Sequence, residues 1–310
     1  MADAMTVLTE IPELLPPQQS ELRRVLGAVM LSKTAVFGAL VLGLFVLIAI
    51  LAPVLAPLDP DQQNLERRLA PPIGLGLEDA RFEHPLGNDN LGRDILSRLI
   101  VGSRVSLIVG VSTVFLASLA GSVAGAMAGY YRGWFDNVVM RLVDVWMAFP
   151  SLLLAIAFGA ALGPGLLNLI FALALANWVV YARVVRAEVL VLRELDFVLA
   201  ARSLGTRNRR IITRHILPNV LPPILVISTL QMGTVIIAEA SLSFLGIGVQ
   251  SSVPTWGGML ADGREFMRQA WWLATFPGIA ISIVVLGVNL LGDGLRDALD
   301  PRLRRGKDGF

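Results

Sequence analysis

Ionisable and hydroxyl-bearing side chains within long apolar runs are the first places to look for chemistry, since each is costly in hydrocarbon unless it functions or finds a partner. Glu239 stands among Ala238, Ala240 and Ser241, near one end of such a run. A carboxyl there suits either proton relay or the anchoring of a helix end, and anchoring is the simpler role. Ser228, Thr229, Gln231 and Thr234 lie just before it. Their stripe fits a solute pathway and equally fits helix-to-helix hydrogen bonding, so Gln231, Thr234 and Glu239 are the candidate pathway residues. Asp144 follows Arg141 by three residues, a spacing that lets the two pair on one helix face. There is no cysteine, which excludes disulfides, thiolate metal sites and cysteine nucleophiles. No G-x-x-x-x-G-K-[ST] phosphate loop can be drawn around Lys33 or Lys307, so this chain does not hydrolyse ATP by itself.

A second constellation is polar: Asp196-Phe-Val-Leu-Ala-Ala-Arg-Ser-Leu-Gly205, with a basic run behind it to Pro218. Asp196 suits an N-cap, and Gly205 suits the left-handed residue that ends a helix. Phe197, Ala200, Ala201 and Leu204 are expected on one face of roughly two turns, too short to be stable alone. Thr206 is expected to cap a second helix with Arg207, Arg209, Arg210 and Arg214 outward and Ile211, Ile212 and Ile216 inward, stopped at Pro218. Two short helices joined at a glycine form a platform that needs a surface to lean on. Anionic lipid would account for the arginines. It would not account for the adjacent Ala200 and Ala201, which allow close approach by another protein.

The elements that position these residues follow from composition. The chain has 310 residues, 55% of them hydrophobic, and a mean hydropathy of +0.68, too apolar for an ordinary soluble domain. Apolar runs long enough to cross ~30 Å of hydrocarbon recur, and only helices or closed barrels satisfy the backbone there. Residues 1–19 are polar and proline-bearing and read as a disordered start; Ser20 to Leu31 fits a short interfacial helix or a plain lead-in. Spans are expected at Thr34–Leu58, Val105–Tyr131, Val138–Leu162, Leu166–Ala182, Leu221–Ser241 and Ala270–Gly292, with Gly163-Pro164-Gly165 separating the third from the fourth. A cleavable signal peptide is disfavoured, because over thirty residues precede the first apolar run. Gly121 and Gly125 form a small-xxx-small pair, expected to pack within this chain.

Orientation follows from the arginines and lysines. With the N-terminus inside, the inner segments hold 18 of the 26 and the outer segments 8, the latter among ten acids. The expected architecture is therefore an all-α polytopic membrane protein, with six transmembrane helices and both termini cytoplasmic. His84 and His215 then lie on opposite sides, which disfavours a two-histidine metal site and an intramembrane hydrolase. A proton- or sodium-driven carrier is disfavoured by the few buried carboxylates and the lack of a visible inverted repeat.

Ala200-Ala201-x-x-x-Gly205 followed by Ile216-Leu217-Pro218 resembles the EAA loop of ABC-importer permeases. Leu199 stands in place of the name-giving Glu, and His215 in place of an Ile, as in the peptide and nickel branch. His84-Pro-Leu-Gly-Asn-Asp-Asn-Leu-Gly-Arg-Asp-Ile-Leu-Ser-Arg-Leu99 resembles the outer segment of the second, C-type permease subunit of that branch, with Asn88 in place of a more common Thr. Glu239-Ala-Ser-Leu-Ser-Phe-Leu-Gly246 and Leu291-Gly-Asp-Gly-Leu-Arg-Asp-Ala-Leu-Asp-Pro301 are similar too. The resemblance covers about residues 20–305.

It implies a type I ABC-importer permease fold in a bacterial inner membrane. The organisation would be an N-terminal tail at 1–33, a first helix at 34–58, an outer loop at 59–104, a permease core at 105–295 with its coupling loop at 187–218, and a tail at 296–310. The implied partners are a second permease, two ATPase subunits that bind ATP and magnesium, and an extracytoplasmic solute-binding protein, with no cofactor in this chain. Asp196, Phe197, Ala200, Ala201, Arg202, Leu204 and Gly205 would carry ATPase coupling. Residues 82–99 and 250–268 would meet the binding protein. Dipeptides, longer peptides and nickel chelates are all substrates the resemblance allows.

Overall fold

The computed structural model describes residue 27 and residues 30–73, 83–249 and 253–299. The polar start, most of the Ser20–Leu31 segment and the basic tail beyond residue 299 lie outside the described residues. Among the described residues, the regular elements are helices, with one isolated bridge between Asn88 and Asp94. The order is α1 (Lys33–Leu55), α2 (Ile95–Tyr131), α3 (Gly133–Met147), α4 (Ser151–Leu162), α5 (Leu166–Leu192), α6 (Asp196–Ser203), α7 (Asn208–Ile211), α8 (Leu217–Phe244), α9 (Trp256–Arg264) and α10 (Trp272–Leu299). By length and composition, α1, α2, α5, α10 and the run from Asn208 to Phe244 can each cross a membrane. The α3–α4 pair makes a sixth crossing if its bent halves count as one.

That bend is the main departure from the expected third span. Instead of one helix from Val138 to Leu162, the chain turns sharply at Arg132 and Gly133, both at positive φ, and starts α3 there. It then bends by 92° between Met147 and Ser151. Pro150 is the cause: it donates no backbone hydrogen bond and disfavours a helical conformation at the residue before it. Gly163 and Gly165, both at positive φ, end α4 and start α5 as expected.

Four other helices overrun their apolar segments, α10 by running on past Gly292 to Leu299. α2 starts at Ile95, ten residues before Val105, because Asp94 caps it by accepting from Ser97 N at 2.8 Å and Ser97 Oγ at 2.7 Å. At 37 residues it is about 55 Å long and projects beyond any hydrocarbon layer. α5 continues past Ala182 to Leu192, carrying Arg183 and Arg186 into contact with α3. Arg186 forms a two-pronged pair with Asp136, and Arg183 Nη2 donates to Asp144 Oδ1 at 2.8 Å. Asp144 thus pairs across helices and not with Arg141, because Arg183 brings a donor from a neighbouring element. The fifth span also starts early: Pro218 does not stop the chain. Residues Ile212–Ile216 form a π turn, in which Leu217 N–H reaches Ile212 O, and the helix continues through Pro218, Pro222 and Pro223. The wider turn makes room for a proline ring that an ordinary α turn would exclude.

Small residues decide which helices pack. Along α2, Gly121, Gly125 and Gly129 face the backbone of α5 so closely that a Cβ would meet Trp178 O, Ala182 O and Arg186 O. The expected close approach is made within this chain. Gly38 of α1 and Gly287 of α10 form a similar seam, leaving Phe37, Leu40, Leu44 and Leu47 exposed on the far side.

Candidate functional site

The bundle has two distinct ends. At one, α6 is joined rigidly to its neighbours. Ser203 is its last helical residue, and Gly205 at φ +72° donates N–H to Arg202 O at 3.0 Å, while Thr206 N–H reaches Ala201 O at 3.1 Å. This pair of bonds is the Schellman closure that a left-handed glycine permits. The N-terminal expectation is corrected: Leu195 occupies the cap position, and Asp196 is the first helical residue, favourable only through the helix dipole. Arg207, not Thr206, precedes α7, without a side-chain cap.

The expected common face also divides. Val198 and Ala201 are buried against Tyr130, Val185, Ile211 and Ile216. Phe197, Ala200 and Leu204 face outward, Leu204 at 85% exposure. Ala201 is a packing residue, whereas the outward group forms a small apolar face within the most basic part of the chain. Arg202 stacks over the Tyr130 ring at 5.6 Å, and Tyr130 Oη donates to Asn208 Oδ1 at 2.8 Å. His215 sits beside Phe197, ring centres 6.5 Å apart. Nothing in the sequence links Tyr130 to this platform; tertiary packing alone brings it there.

Midway along the bundle, a cavity of about 130 Å³ lies between α4, α5 and α8, lined by Ser151, Asn177, Thr234 and Ser241 among apolar neighbours. Gln231 is half-buried about one turn before Thr234, on the same side of α8. Glu239 is elsewhere. Five residues from Thr234, it points about 140° away around the helix. It is 1% exposed and accepts from Ser243 Oγ at 2.9 Å and from Ser106 Oγ of α2 at 3.4 Å. This is the anchoring arrangement. Ser241, seven residues after Thr234 and thus on the same face, was legible as a lining residue from spacing; Ser151 and Asn177 were not.

At the opposite end, residues 56–73 and 83–94 fold into a cap over α2 and α10. Its charged motif turns inward. Asn88, Asp89, Arg93, Asp94 and Arg98 are all buried. Asp89 accepts from Arg93 Nε at 2.6 Å and from the backbone of Leu91 and Arg93, while His84 Nδ1 pairs with Asp94 Oδ1 at 3.0 Å. Gly87 and Gly92, at positive φ, lie against the backbone of Ala70 and Asn64 too closely for any Cβ. The stretch 84–98 is therefore chiefly an internal brace. Among the described residues, the exposed surface at this end includes Asp59, Asp61, Gln62, Leu65 and Glu66 of the cap and Arg264, Glu265 and Arg268 beside it.

A second cavity, about 500 Å³, opens beside this cap. Arg98 of α2, Ser243 and Phe244 of α8, Val253, and Thr255 and Asp262 around α9 line it. Burial pushes the Asp262 carboxyl above its ordinary value, with Arg93 and Arg98 opposing. Among the described residues, no group of three or more His, Cys, Asp or Glu is arranged to hold a metal ion.

Residues 121–305 match the family described as binding-protein-dependent transport system inner membrane component. The chain belongs to that family. Residues 22–72 match a second family, the N-terminal transmembrane domain of oligopeptide transport permease C. Among curated relatives, the dipeptide transport system permease protein DppC of Alkalihalophilus pseudofirmus is 43% identical over 306 residues, covering 97% of this chain and 98% of the relative. The di/tripeptide permease DppC of Pseudomonas aeruginosa is 43% identical over 88% and 89% of the two chains. The glutathione permease GsiD of Escherichia coli is 46% identical over 87% of each. A chain of the inward-facing MetNI methionine ABC transporter superposes with a TM-score of 0.54 at 17% identity, over 66% of this chain and 98% of that one. The fold is that of an ABC-importer permease, and the chain is a multi-pass membrane permease component of a binding-protein-dependent transport system.

Proposed function

We propose that this chain passes short peptides across the inner membrane together with a second permease, and that α6 seats in a groove of a cytoplasmic ATPase. The observation that carries the coupling assignment is the outward face of α6. Phe197, Ala200 and Leu204 present apolar surface to solvent on a helix closed by a Schellman turn and braced by Tyr130 and Asn208. A leucine 85% exposed beside five arginines is poorly explained by solvent and well explained by a protein partner. With Leu199 in place of an acid, the seat rests on apolar contact more than on charge. Because α6 lies between α5 and α8 in the chain, displacement of the platform acts directly on two of the three helices that line the mid-bundle cavity. ATP and magnesium belong to the ATPase partners in this reading, the binding protein delivers the solute on the cap side, and both termini lie in the cytoplasm.

Peptide as the solute is supported by the second family match and by the named specificities of the relatives. Thr234, Ser241, Ser151 and Asn177 supply neutral hydrogen-bonding groups of the kind a peptide backbone can exchange along. A carrier driven by an ion gradient would require Glu239 in the pathway, and it sits on the other side of α8. The test is reconstitution of the complex in proteoliposomes with Leu204→Asp. Dialanine uptake and solute-stimulated ATP hydrolysis should fall at least tenfold together, equivalent to about 1.4 kcal/mol of lost coupling, while membrane insertion is unchanged. Uptake at the unmodified rate would refute the assignment.

A further inference from the structure

The 500 Å³ cavity beside the cap lies within the range of small-molecule sites, about 300–1,000 Å³. Two ionic groups line it, and they are not equivalent. The Arg98 guanidinium is committed to its own chain: Nη1 donates to Pro60 O at 3.2 Å, and Asp61 and Asp89 lie at 3.6 and 3.7 Å. Its side chain is only 4% exposed. Asp262 is half-exposed and held through one oxygen, with Arg93 Nη2 at 3.5 Å, the outer limit of a hydrogen bond. Arg93 in turn is held at 2.6 Å by Asp89. Asp262 is thus the carboxylate that retains accepting capacity and faces open space.

The local charge has a sign. Asp61, Asp89, Asp262 and Glu265 set four negative charges against the three positive charges of Arg93, Arg98 and Arg264, an excess of one negative charge. A cation is favoured. A bare metal ion is not, since calcium takes six to eight oxygen ligands and Asp262 is not part of any metal-holding group among the described residues. Phe244, Val249 and Val253 supply apolar lining, and the Arg264 guanidinium covers the Phe244 ring at 5.3 Å. One available carboxylate in a cavity that is also lined by apolar side chains is the complement of an ammonium on a small organic body.

We propose that this cavity is a binding site for the ammonium end of a small organic solute, with Asp262 as its acceptor and Phe244, Val249 and Val253 as the wall for its apolar part. Resting on the peptide reading above, the solute is a short peptide with a free N-terminus, met on the cap side before it reaches the Thr234 cavity. Thr255 Oγ1 caps α9 by accepting from Gly258 N at 3.0 Å, which holds this wall in place without consuming Asp262.

The chain has no cysteine, so Val253→Cys introduces its single thiol on the cavity wall. The experiment follows maleimide labelling of that thiol in the complete purified complex, read on this chain by mass, with dialanine, N-acetyl-dialanine or ethylammonium as probe. At about four times its Kd, a ligand that fills the cavity slows labelling about fivefold. Dialanine and ethylammonium should protect, N-acetyl-dialanine should not, and adding Asp262→Asn should abolish protection while leaving the unliganded labelling rate unchanged. Arg93 keeps Asp89 in that variant, so the cap retains its brace. Equal protection by the free and acetylated dipeptides, or none by any probe, would overturn the proposal even if the complex transports dialanine. Protection by ethylammonium in a complex that transports no peptide would uphold the site and remove the peptide reading.

Discussion

Replacing Gly125 with alanine tests whether the α2–α5 seam sets the spacing of the bundle. The added Cβ would lie 3.0 Å from both Ala182 C and Cα and closer still to Ala182 O. All three are backbone atoms of α5, so no flexible side chain can move aside and the helices must separate. Separation also loosens the contacts at Gly121 and Gly129 on the same face. Overpacking of this kind costs about 1–3 kcal/mol. The better helix propensity of alanine returns up to about 1 kcal/mol, leaving a net loss of about 1–2 kcal/mol. Gly43→Ala is the matched control, because nothing lies within 4 Å of its added Cβ in α1. It should be neutral or stabilising by up to about 1 kcal/mol. Reversible unfolding of the purified chain in mixed micelles, followed by far-UV circular dichroism, measures both variants. Equal stability of Gly125→Ala and Gly43→Ala would refute the seam argument.

Arg186→Met leaves the buried Asp136 carboxylate unpaired and should destabilise by about 2 kcal/mol, below the range for fully buried pairs because Arg186 is partly solvated. The Asp136→Asn, Arg186→Gln double variant should recover most of that loss, as measured by a double-mutant cycle on unfolding. Tyr130→Phe removes the hydrogen bond to Asn208 while keeping the ring under Arg202, and should cost about 1 kcal/mol. Solute-stimulated ATP hydrolysis by the reconstituted complex should fall more than its basal rate; equal falls would argue against a brace for α6. Burial raises the Asp262 carboxyl, so its negative charge is lost at a higher pH than that of an ordinary aspartate. Arg93, Arg98, Asp89 and Glu265 are the charged groups acting on it. Dialanine protection of the Val253→Cys thiol, taken as a rate ratio at each pH, should therefore be full near neutrality and lost as pH falls through that raised value. Protection independent of pH between 4 and 8 would contradict the role given to Asp262.

Local chain properties were readable without tertiary structure. Apolar length located the spans, Gly205 ended α6 because only a left-handed residue closes that turn cheaply, and Gly163 and Gly165 separated α4 from α5. Pro150 carried the signal for the 92° bend, yet a continuous uncharged run concealed it, since hydropathy has no term for direction. The overrun of α2, α5 and α8 was hidden for a related reason: hydropathy reports where lipid ends, while hydrogen bonding and capping decide where a helix ends.

Contacts between distant segments were not readable. Asp144 chose Arg183 over Arg141, Ala201 turned inward while Ala200 turned outward, and the cap motif folded onto itself. Each depends on which face of a helix meets a neighbour, and that is fixed by the glycine seams and the bend. The sequence by itself determined a helical membrane protein with a polar platform between two spans, because those properties reside in runs of a few to about twenty residues, and its motifs carried the resemblance to the permeases. Only the tertiary structure decided that Glu239 anchors α8 to α2 while Thr234 lines a cavity, and that Asp262 remains the available carboxylate beside the cap. The reason is geometric: side chains a few residues apart on one helix face different partners, and the sequence does not say which partner stands on which side.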